Sequence, residues 1–579
     1  MFMVDELLQQ QFPQLNRRPW LFRPLKFLVS KLLHEREFQE FAQDYPHLTG
    51  IDFVEQVLLY FNFSYSLRSC ERERIPADGR VVIIANHPIG SLDGLALIKL
   101  ISELRPDVKV VSNQMLMALK PLHPLLLPVN NMSGGTVRAK LKSIHQHLCD
   151  EGALIIFPAG EVSRLRPQGV RDPRWHDGFL KIAARAQAPI LPVHLEGRNS
   201  SLFYSASMIY KPLSTALLVT EMFKQRSHDL PVRIGEMIPF DSWQSLPLAS
   251  EQIVKLFKRH LYRLGRDGKP VFRTQPAVAL PESRADLARV LFAEGRQLGK
   301  TDDGKLIWLY DYRADSPVMR EIGRLREIAF RAVGEGTQSR RDIDIFDCVY
   351  QHLILWDARE LEIVGAYRLG DAWRLHRQTP GLYSASLFDY LPTMDPYFEQ
   401  GLELGRGFVQ PRYWGKRSLD YLWYGIGAFL RCYPQYRYLF GPVSLSGQLP
   451  VAARDLLVDF YGRHFRSREM LAIAHHPYVV SDNTCFTPAA QYASQSYPDA
   501  FRVLKARLAG MGVAVPTLYK HYTELCAPGG ARFLAFGVDE HFGNCIDGLI
   551  LIDTQMMAAR KKERYLVRPC HGPESQLVK

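Results

Sequence analysis

The sequence predicts an α/β protein of two domains, and three observations carry that expectation. In the first half, short apolar strands such as Val81–Ile84 alternate with helical runs such as Leu95–Leu104, the pattern of a sheet with helices on its faces. After about Leu264 the pattern breaks into a Pro- and Gly-bearing stretch, Gly265-Arg266-Asp267-Gly268-Lys269-Pro270 onward to Pro281, before helical periodicity resumes at Asp286. Finally, 579 residues are too many for a single core. The expected division is an amphipathic, membrane-contacting helical region over 1–70, an α/β domain over 71–264, a linker over 265–285 and a second α/β domain over 286–579. No internal repeat or low-complexity tract relates the halves.

Taken in order, the first distinctive segment is Arg17–Leu33, where basic residues mix with Trp20, Phe22, Phe27 and leucines. Cations meeting anionic headgroups while aromatics sink to the acyl boundary is how an interfacial anchor works. A second candidate of that kind is Met115–Leu127; packing against the core is the alternative for both. Between them lies Ala85-Asn86-His87-Pro88-Ile89-Gly90-Ser91-Leu92-Asp93-Gly94, on the turn from a strand into a helix. A His and an Asp so placed can share a hydrogen bond that fixes the imidazole tautomer. The free ring nitrogen then takes a proton from an attacking hydroxyl or amine, and no Ser or Cys nucleophile is needed. The plainer alternative is that Asp93 caps the following helix.

Three further blocks follow: Leu126–Asn131, Gly152–Arg164 with the turn Phe157-Pro158-Ala159-Gly160-Glu161-Val162-Ser163-Arg164, and the apolar strand Ala188–Leu195. Polar residues at the carboxyl ends of such strands place a site along one edge of the sheet. This ordered set resembles the lysophospholipid acyltransferase superfamily over roughly residues 75–245, most closely its hemolysin-like branch. The resemblance implies catalysis by His87 and Asp93, and substrate contact by Asn86, Gly160, Glu161, Ser163 and Arg164. Five residues rather than the superfamily's usual four separate His87 from Asp93, and the turn's carboxylate sits at Glu161 where Ala159 stands in its common place. Both are features of that branch.

In the second half, three features carry chemistry: the spaced acids Asp342, Asp344 and Asp347 before the strand His352–Trp356; the strand Ile363–Leu369 with Arg368; and Leu402–Tyr413 with Glu403, Arg406 and Arg412. Strict alternation puts Glu403 and Gly405 on one face of that last strand and Leu402, Leu404 and Arg406 on the other. The helical run Leu419–Leu430 follows, so a strand, a Gly-containing turn and a helix offer backbone N–H groups to a thioester and its phosphopantetheine arm. Singly, each feature reads as a solvated loop or a salt bridge. Together with Phe440–Gly447 they resemble the GNAT superfamily over roughly 290–570, in the long-chain N-acyltransferase branch similar to autoinducer synthases. The resemblance implies direct transfer from a thioester, with Glu403 removing the amine's proton. It further implies an acceptor held by Asp342, Asp344, Asp347, Arg368, Arg406 and Arg412. The usual Arg-x-x-Gly-x-Gly loop is altered to Arg412-Tyr413-Trp414-Gly415-Lys416, which suits an acyl carrier protein donor better than coenzyme A.

Composition narrows the partners. A net charge of +12 implies an anionic partner. Anionic lipid and acyl carrier protein fit; nucleic acid does not, because no helix-turn-helix, zinc-finger or aromatic ribonucleoprotein motif is visible. The cysteines at 70, 149, 348, 432, 485, 526, 545 and 570 show no pairing pattern, which suits a reducing compartment. His541 and Cys545 could share a helix turn as metal ligands, but without further ligands no metal and no tightly bound cofactor is expected. The amino terminus lacks a signal-peptide pattern, and no apolar run reaches the ~18–20 residues of a spanning helix.

The fusion of a hydroxyl-directed and an amine-directed acyltransferase resembles the bifunctional ornithine-lipid synthases of bacteria. That resemblance implies N-acylation of ornithine with a 3-hydroxyacyl chain by the carboxy-terminal domain. The amino-terminal domain then esterifies the new hydroxyl, peripherally on the cytoplasmic face of the inner membrane. Two alternatives remain open at this point: a single-function lysophospholipid O-acyltransferase with a regulatory second domain, and a non-catalytic membrane-binding protein.

Overall fold

The computed structural model describes residues 30, 34–112, 119–128, 135–209, 211–481 and 496–567, without the side chains of 135–140 and 206–216. The proposed anchor at Arg17–Leu33, apart from Ser30, lies outside the described residues, as do the first part of Met115–Leu127, residues 129–131, Cys485 and Cys570. The chain divides into two compact units, Met1–Leu280 and Pro281–Lys579.

The first unit is built on a seven-stranded sheet. In chain order its strands are β1 (Ser64–Leu67), β2 (Val81–Ala85), β3 (Lys109–Ser112), β4 (Leu126–Pro128) and β5 (Ala153–Ile156), then β8 (Ile190–Leu195) and β9 (Asp229–Ile234). A separate hairpin of β6 (Arg164–Arg166) and β7 (Gly169–Arg171) lies between β5 and β8. The spatial order is β1-β9-β8-β2-β5-β3-β4, parallel except for β8 against β9. Central β2 reads Val-Val-Ile-Ile-Ala and is buried throughout, as a strand covered on both faces must be. Its alternate residues feed two cores: Val81 and Ile83 pack with Val54, Leu97 and Ile101, whereas Val82 and Ile84 pack with Phe179, Phe257 and Leu261.

The stretch marked as a linker from 265 to 285 is, up to Leu280, part of the first unit. Phe272 enters the second of those cores, and the backbone N–H groups of Val271 and Phe272 point at His260 Nδ1 at 3.2 and 3.4 Å. Proline and glycine marked irregular backbone there, but the aromatic side chain ties it down.

The second unit has one eight-stranded sheet, from β10 (Arg296–Lys300), β11 (Leu306–Asp311), β12 (Gln351–Asp357) and β13 (Glu362–Asp371) through β15 (Gly401–Val409) and β16 (Tyr438–Leu445) to β19 (Cys545–Asp553) and β18 (Ala531–Asp539). Short β14 (Phe388–Tyr390) and β17 (Ala472–Ala474) pair apart from it. All neighbours in the large sheet are antiparallel except β15 and β16. Those two are paired at Gly401–Tyr438, Leu402–Leu439 and Glu403–Phe440, and no further. Beyond Glu403, β15 stays with β13 and β16 stays with β19, so the sheet splits into a wedge whose two edges carry backbone groups not used by their neighbour across the gap. The helix Ser418–Cys432 packs its apolar face, Leu422, Ile426 and Phe429 among others, beneath β10 to β13. Among the described residues no helix is long and apolar enough to cross a membrane.

Candidate active sites

In the first unit, β2 ends at Ala85 and the chain turns through His87 into the helix Leu92–Ser102, while the neighbouring β5 ends beside it in the 157–164 turn. His87 Nδ1 lies 3.1 Å from Asp93 Oδ2. The same carboxylate accepts the N–H groups of Ile89, Ser91 and Gly94 at 2.8, 3.0 and 3.0 Å, with Gly90 N–H near both oxygens. Asp93 therefore both caps the helix and orients the histidine; the two readings of this residue are one arrangement. Burial would raise the Asp93 carboxyl, but His87 and the converging backbone donors hold it below its usual range. Burial likewise opposes the imidazolium of His87, yet Asp93, with Asp172 behind it, raises its affinity for a proton. The ring stacks on Phe157 with centroids 4.4 Å apart and keeps 19% of its side-chain surface open. A histidine whose Nδ1–H is held by a buried carboxylate presents Nε2 as a base.

The turn after β5 docks on this loop. Ser163 N–H donates to the His87 carbonyl at 2.8 Å, and Val162 occupies the space that a side chain on Gly90 would need. Gly160 takes a left-handed φ of 64° with open space beside it, and Glu161 lies 4.0 Å from Arg164, whose guanidinium covers Phe203. Two residues expected to touch substrate are engaged elsewhere. Asn86 is buried and bonded twice, at 2.8 Å each, to the backbone of Leu195, so it stitches β2's end to β8. Ser163 donates its hydroxyl to Asp172 at 2.5 Å. Sequence reading missed Asp172, which is 2% exposed and also accepts the His87 backbone N–H at 3.2 Å and the Trp175 indole N–H at 2.8 Å. Burial pushes its carboxyl up, against the donors from Ser163, Trp175 and the His87 backbone.

In the second unit the predicted acids and arginines converge. Asp347, fully buried, accepts from Arg326 Nη1 at 3.2 Å and stands 3.5 Å from Arg368 Nη1. Arg368 is also fully buried and reaches Asp344 at 2.7 Å. Burial would raise Asp347, but Arg326 and Arg368 outweigh it and hold the carboxyl well below its usual range. Arg406 stands 3.5 Å from Asp342 and 3.6 Å from Asp344. Several buried polar atoms in this cluster lack a hydrogen bond: Arg368 Nε and Nη2, Arg406 Nε, Asp342 Oδ2 and Asp344 Oδ2. Buried polar groups left in that state cost free energy, and a cluster of both charges in that state is suited to a zwitterion.

Strict alternation along β15 fails at Arg406. The pairing with β13 shifts between Ala366 and Arg368, and Arg406 takes a left-handed φ of 48°. The bulge turns its guanidinium onto Tyr383 at 4.9 Å, the ring whose backbone N–H lies 3.2 Å from Glu403. Arg406 and Glu403 thus meet the same tyrosine instead of opposite faces. Glu403 is fully buried, and both its oxygens are occupied, by Ser384 N–H at 2.7 Å, by Tyr383 N–H and by the Tyr350 hydroxyl. Burial raises its carboxyl despite these donors. Its geometry is that of a residue fixing Tyr350 and Tyr383 in place. Arg412 is drawn away from the cluster by Glu362, at 2.8 Å.

A second set of carboxylates borders Arg406 and was not legible beforehand. Asp547 on β19 lies across from Ser444 on β16, whose hydroxyl donates to Glu335 at 2.7 Å; Asp539 ends β18. Burial, then Asp539 and Glu335, push Asp547 up to about 8, with Arg406 opposing; burial pushes Glu335 up to about 7. Cys545, placed by its spacing with His541 on a helix turn, instead begins β19 and points its thiol at Asp547, 3.8 Å away. Among the described residues no group of three or more His, Cys, Asp or Glu is arranged to hold a metal ion.

An acyltransferase family model matches residues 7–266, and an acetyltransferase (GNAT) domain model matches 325–424. A protein of Bacteroides thetaiotaomicron named glycine N(alpha)-acyltransferase is 30% identical over 298 residues, 48% of this chain and 87% of that protein. From the same organism, a lyso-glycine lipid O-acyltransferase is 30% identical over 252 residues, 42% of this chain and 89% of its own length. An L-ornithine N(alpha)-acyltransferase of Agrobacterium fabrum is 28% identical over 247 residues, 41% of this chain and 75% of that protein.

Proposed function

The chain belongs to the acyltransferases, an acyltransferase domain followed by a GNAT domain, and from that premise we propose that it builds an aminolipid in two steps. The second unit joins an acyl chain to the α-amine of an amino acid: the amide N–C bond forms as the thioester C–S bond breaks, and the proton lost by the amine ends on the departing thiolate. The first unit then esterifies a hydroxyl of the resulting single-chain lipid. The observation that carries this reading is that one chain is matched over most of the length of two separately named enzymes, an N-acyltransferase and a lyso-lipid O-acyltransferase.

The chemistry supports each step. In the first unit, His87 Nε2 takes the proton of the acceptor hydroxyl as its oxygen attacks the thioester carbonyl. Asp93 steadies the imidazolium, which returns the proton to the leaving thiolate. In the second unit the wedge between β15 and β16 receives the thioester arm, its free backbone groups meeting the donor's amides and carbonyl. The unbonded guanidinium nitrogens of Arg368 and Arg406 suit the acceptor's carboxylate, and Asp342 and Asp344 suit its ammonium. The relatives are named for glycine and for ornithine, and an amino acid of this kind is the acceptor we propose. The net charge of +12 supports an acidic acyl carrier protein as donor and an anionic membrane, on the cytoplasmic side, as the place of work.

Lipid mass spectrometry of a bacterium lacking aminolipids, expressing wild type, His87→Ala or Asp344→Asn, tests the reading. Asp344→Asn keeps an oxygen for the N–H groups of Phe346 and Asp347 while removing the charge. A two-chain aminolipid with wild type, a single-chain one with His87→Ala and a loss of both with Asp344→Asn is the expected result. Changed phospholipid acylation without any aminolipid would replace it with the single-function reading.

A further inference from the structure

We propose that the β6–β7 hairpin and the helix Ser201–Ile209 form the face by which the first unit sits on an anionic lipid bilayer. The proposal rests on the reading that this unit acylates a lyso-lipid. The hairpin, Arg164-Leu165-Arg166-Pro167-Gln168-Gly169-Val170-Arg171, contains three arginines and no acid. Leu165 is 51% exposed at its tip side, and Leu202 on the helix is 62% exposed. The two elements pack together, with Arg164 over Phe203 at 5.2 Å and Val170 in a small core with Val162, Phe203 and Tyr204. That core fixes the hairpin while leaving Leu165, Leu202 and Arg166 outward. Exposed leucines beside the outward Arg166 match a membrane interface, where alkyl groups enter the acyl boundary and guanidinium groups stay with anionic headgroups.

Position adds to composition. The hairpin follows directly from Ser163, whose N–H holds the His87 carbonyl, so the face borders the base that acts on the acceptor hydroxyl. A lipid lying in a bilayer against this face presents its polar end toward His87 without leaving the membrane.

The full-length protein is compared with Leu165→Glu/Leu202→Glu in sedimentation with vesicles of phosphatidylcholine and phosphatidylglycerol. Controls are O-transfer to a short-chain, water-soluble acceptor and the melting temperature. Loss of vesicle binding by roughly tenfold or more, with unchanged melting and unchanged transfer to the soluble acceptor, is expected. Binding equal to wild type, or no binding by wild type itself, overturns the proposal. Equal loss of transfer to the soluble acceptor overturns it too, since the leucines would then belong to the acceptor site. Vesicle binding is read without catalysis, so a wild type that binds but transfers no acyl group would sink the O-acyltransferase reading and leave the docking face standing.

Discussion

Replacing Asp547 by asparagine should stabilise the second unit at neutral pH. The side chain is 5% exposed, and burial together with Asp539 on β18 and Glu335 raises its carboxyl from 3.8 to about 8, against the opposing charge of Arg406 on β15. Its contact is the Cys545 thiol, a weak donor. In the unfolded chain the carboxyl ionises near its ordinary value; in the folded chain it holds its proton. The contribution to stability is therefore intact below the unfolded value and is lost as pH climbs from there toward about 8. At pH 7 roughly three pH units of that interval have been crossed, a cost on the order of 4 kcal/mol before the site relaxes. Asparagine has nearly the same shape and pays nothing to stay neutral. Asp547→Asn should raise the melting temperature by several degrees at pH 7, at roughly 2 °C per kcal/mol for a unit of this size. The gain should shrink toward nothing near pH 4. Thermal melts of both proteins across that range decide the matter. A gain independent of pH would refute the argument, because the carboxyl's proton affinity would then not change on folding, and a loss of stability at pH 7 would refute it, because Asp547 would then be ionised and paired in the folded state.

Other substitutions probe the remaining sites. Asp93→Asn should slow O-transfer by roughly 10²- to 10⁴-fold while leaving N-transfer intact, measured by separate assays with hydroxyl and amine acceptors. Arg368→Met leaves Asp347 with Arg326 alone and Asp344 with the more distant Arg406, and should cost up to about 3–5 kcal/mol in urea unfolding. Adding Asp347→Asn should recover part of that loss. Gly90 has φ 96°, and a β-carbon there would lie 2.4 Å from Val162 Cγ2. Gly90→Ala should therefore destabilise the first unit by roughly 1–3 kcal/mol and lower O-transfer by pushing the 157–164 turn off the His87 loop.

What the sequence disclosed and what it withheld follow from the range of the interactions. His87 and Asp93 are legible because one turn brings them together, and β2, β5 and β8 are legible because strands buried on both faces leave continuous apolar runs. The acids at 342, 344 and 347 are legible as a local group, although their partners Arg326, Arg368 and Arg406 come from three other elements. The side of β15 on which Arg406 falls was not, because alternation assumes an unbroken pleat, and one left-handed residue at a bulge reverses the face of everything beyond it. Asp172 gives no local signal at all: an Asp before a proline reads as a turn, yet its carboxylate binds the His87 backbone across 85 positions of sequence. The same holds for Glu335, Asp539 and Asp547, gathered by β16, β18 and β19 after the strand order has been set. Asn86 and Ser163 show the converse. Their place within recognisable blocks suggested substrate contact, whereas their bonds to Leu195 and Asp172 hold those blocks against one another. A motif residue can thus mark a site because it assembles the site, and only the geometry of its hydrogen bonds separates that role from contact with the substrate.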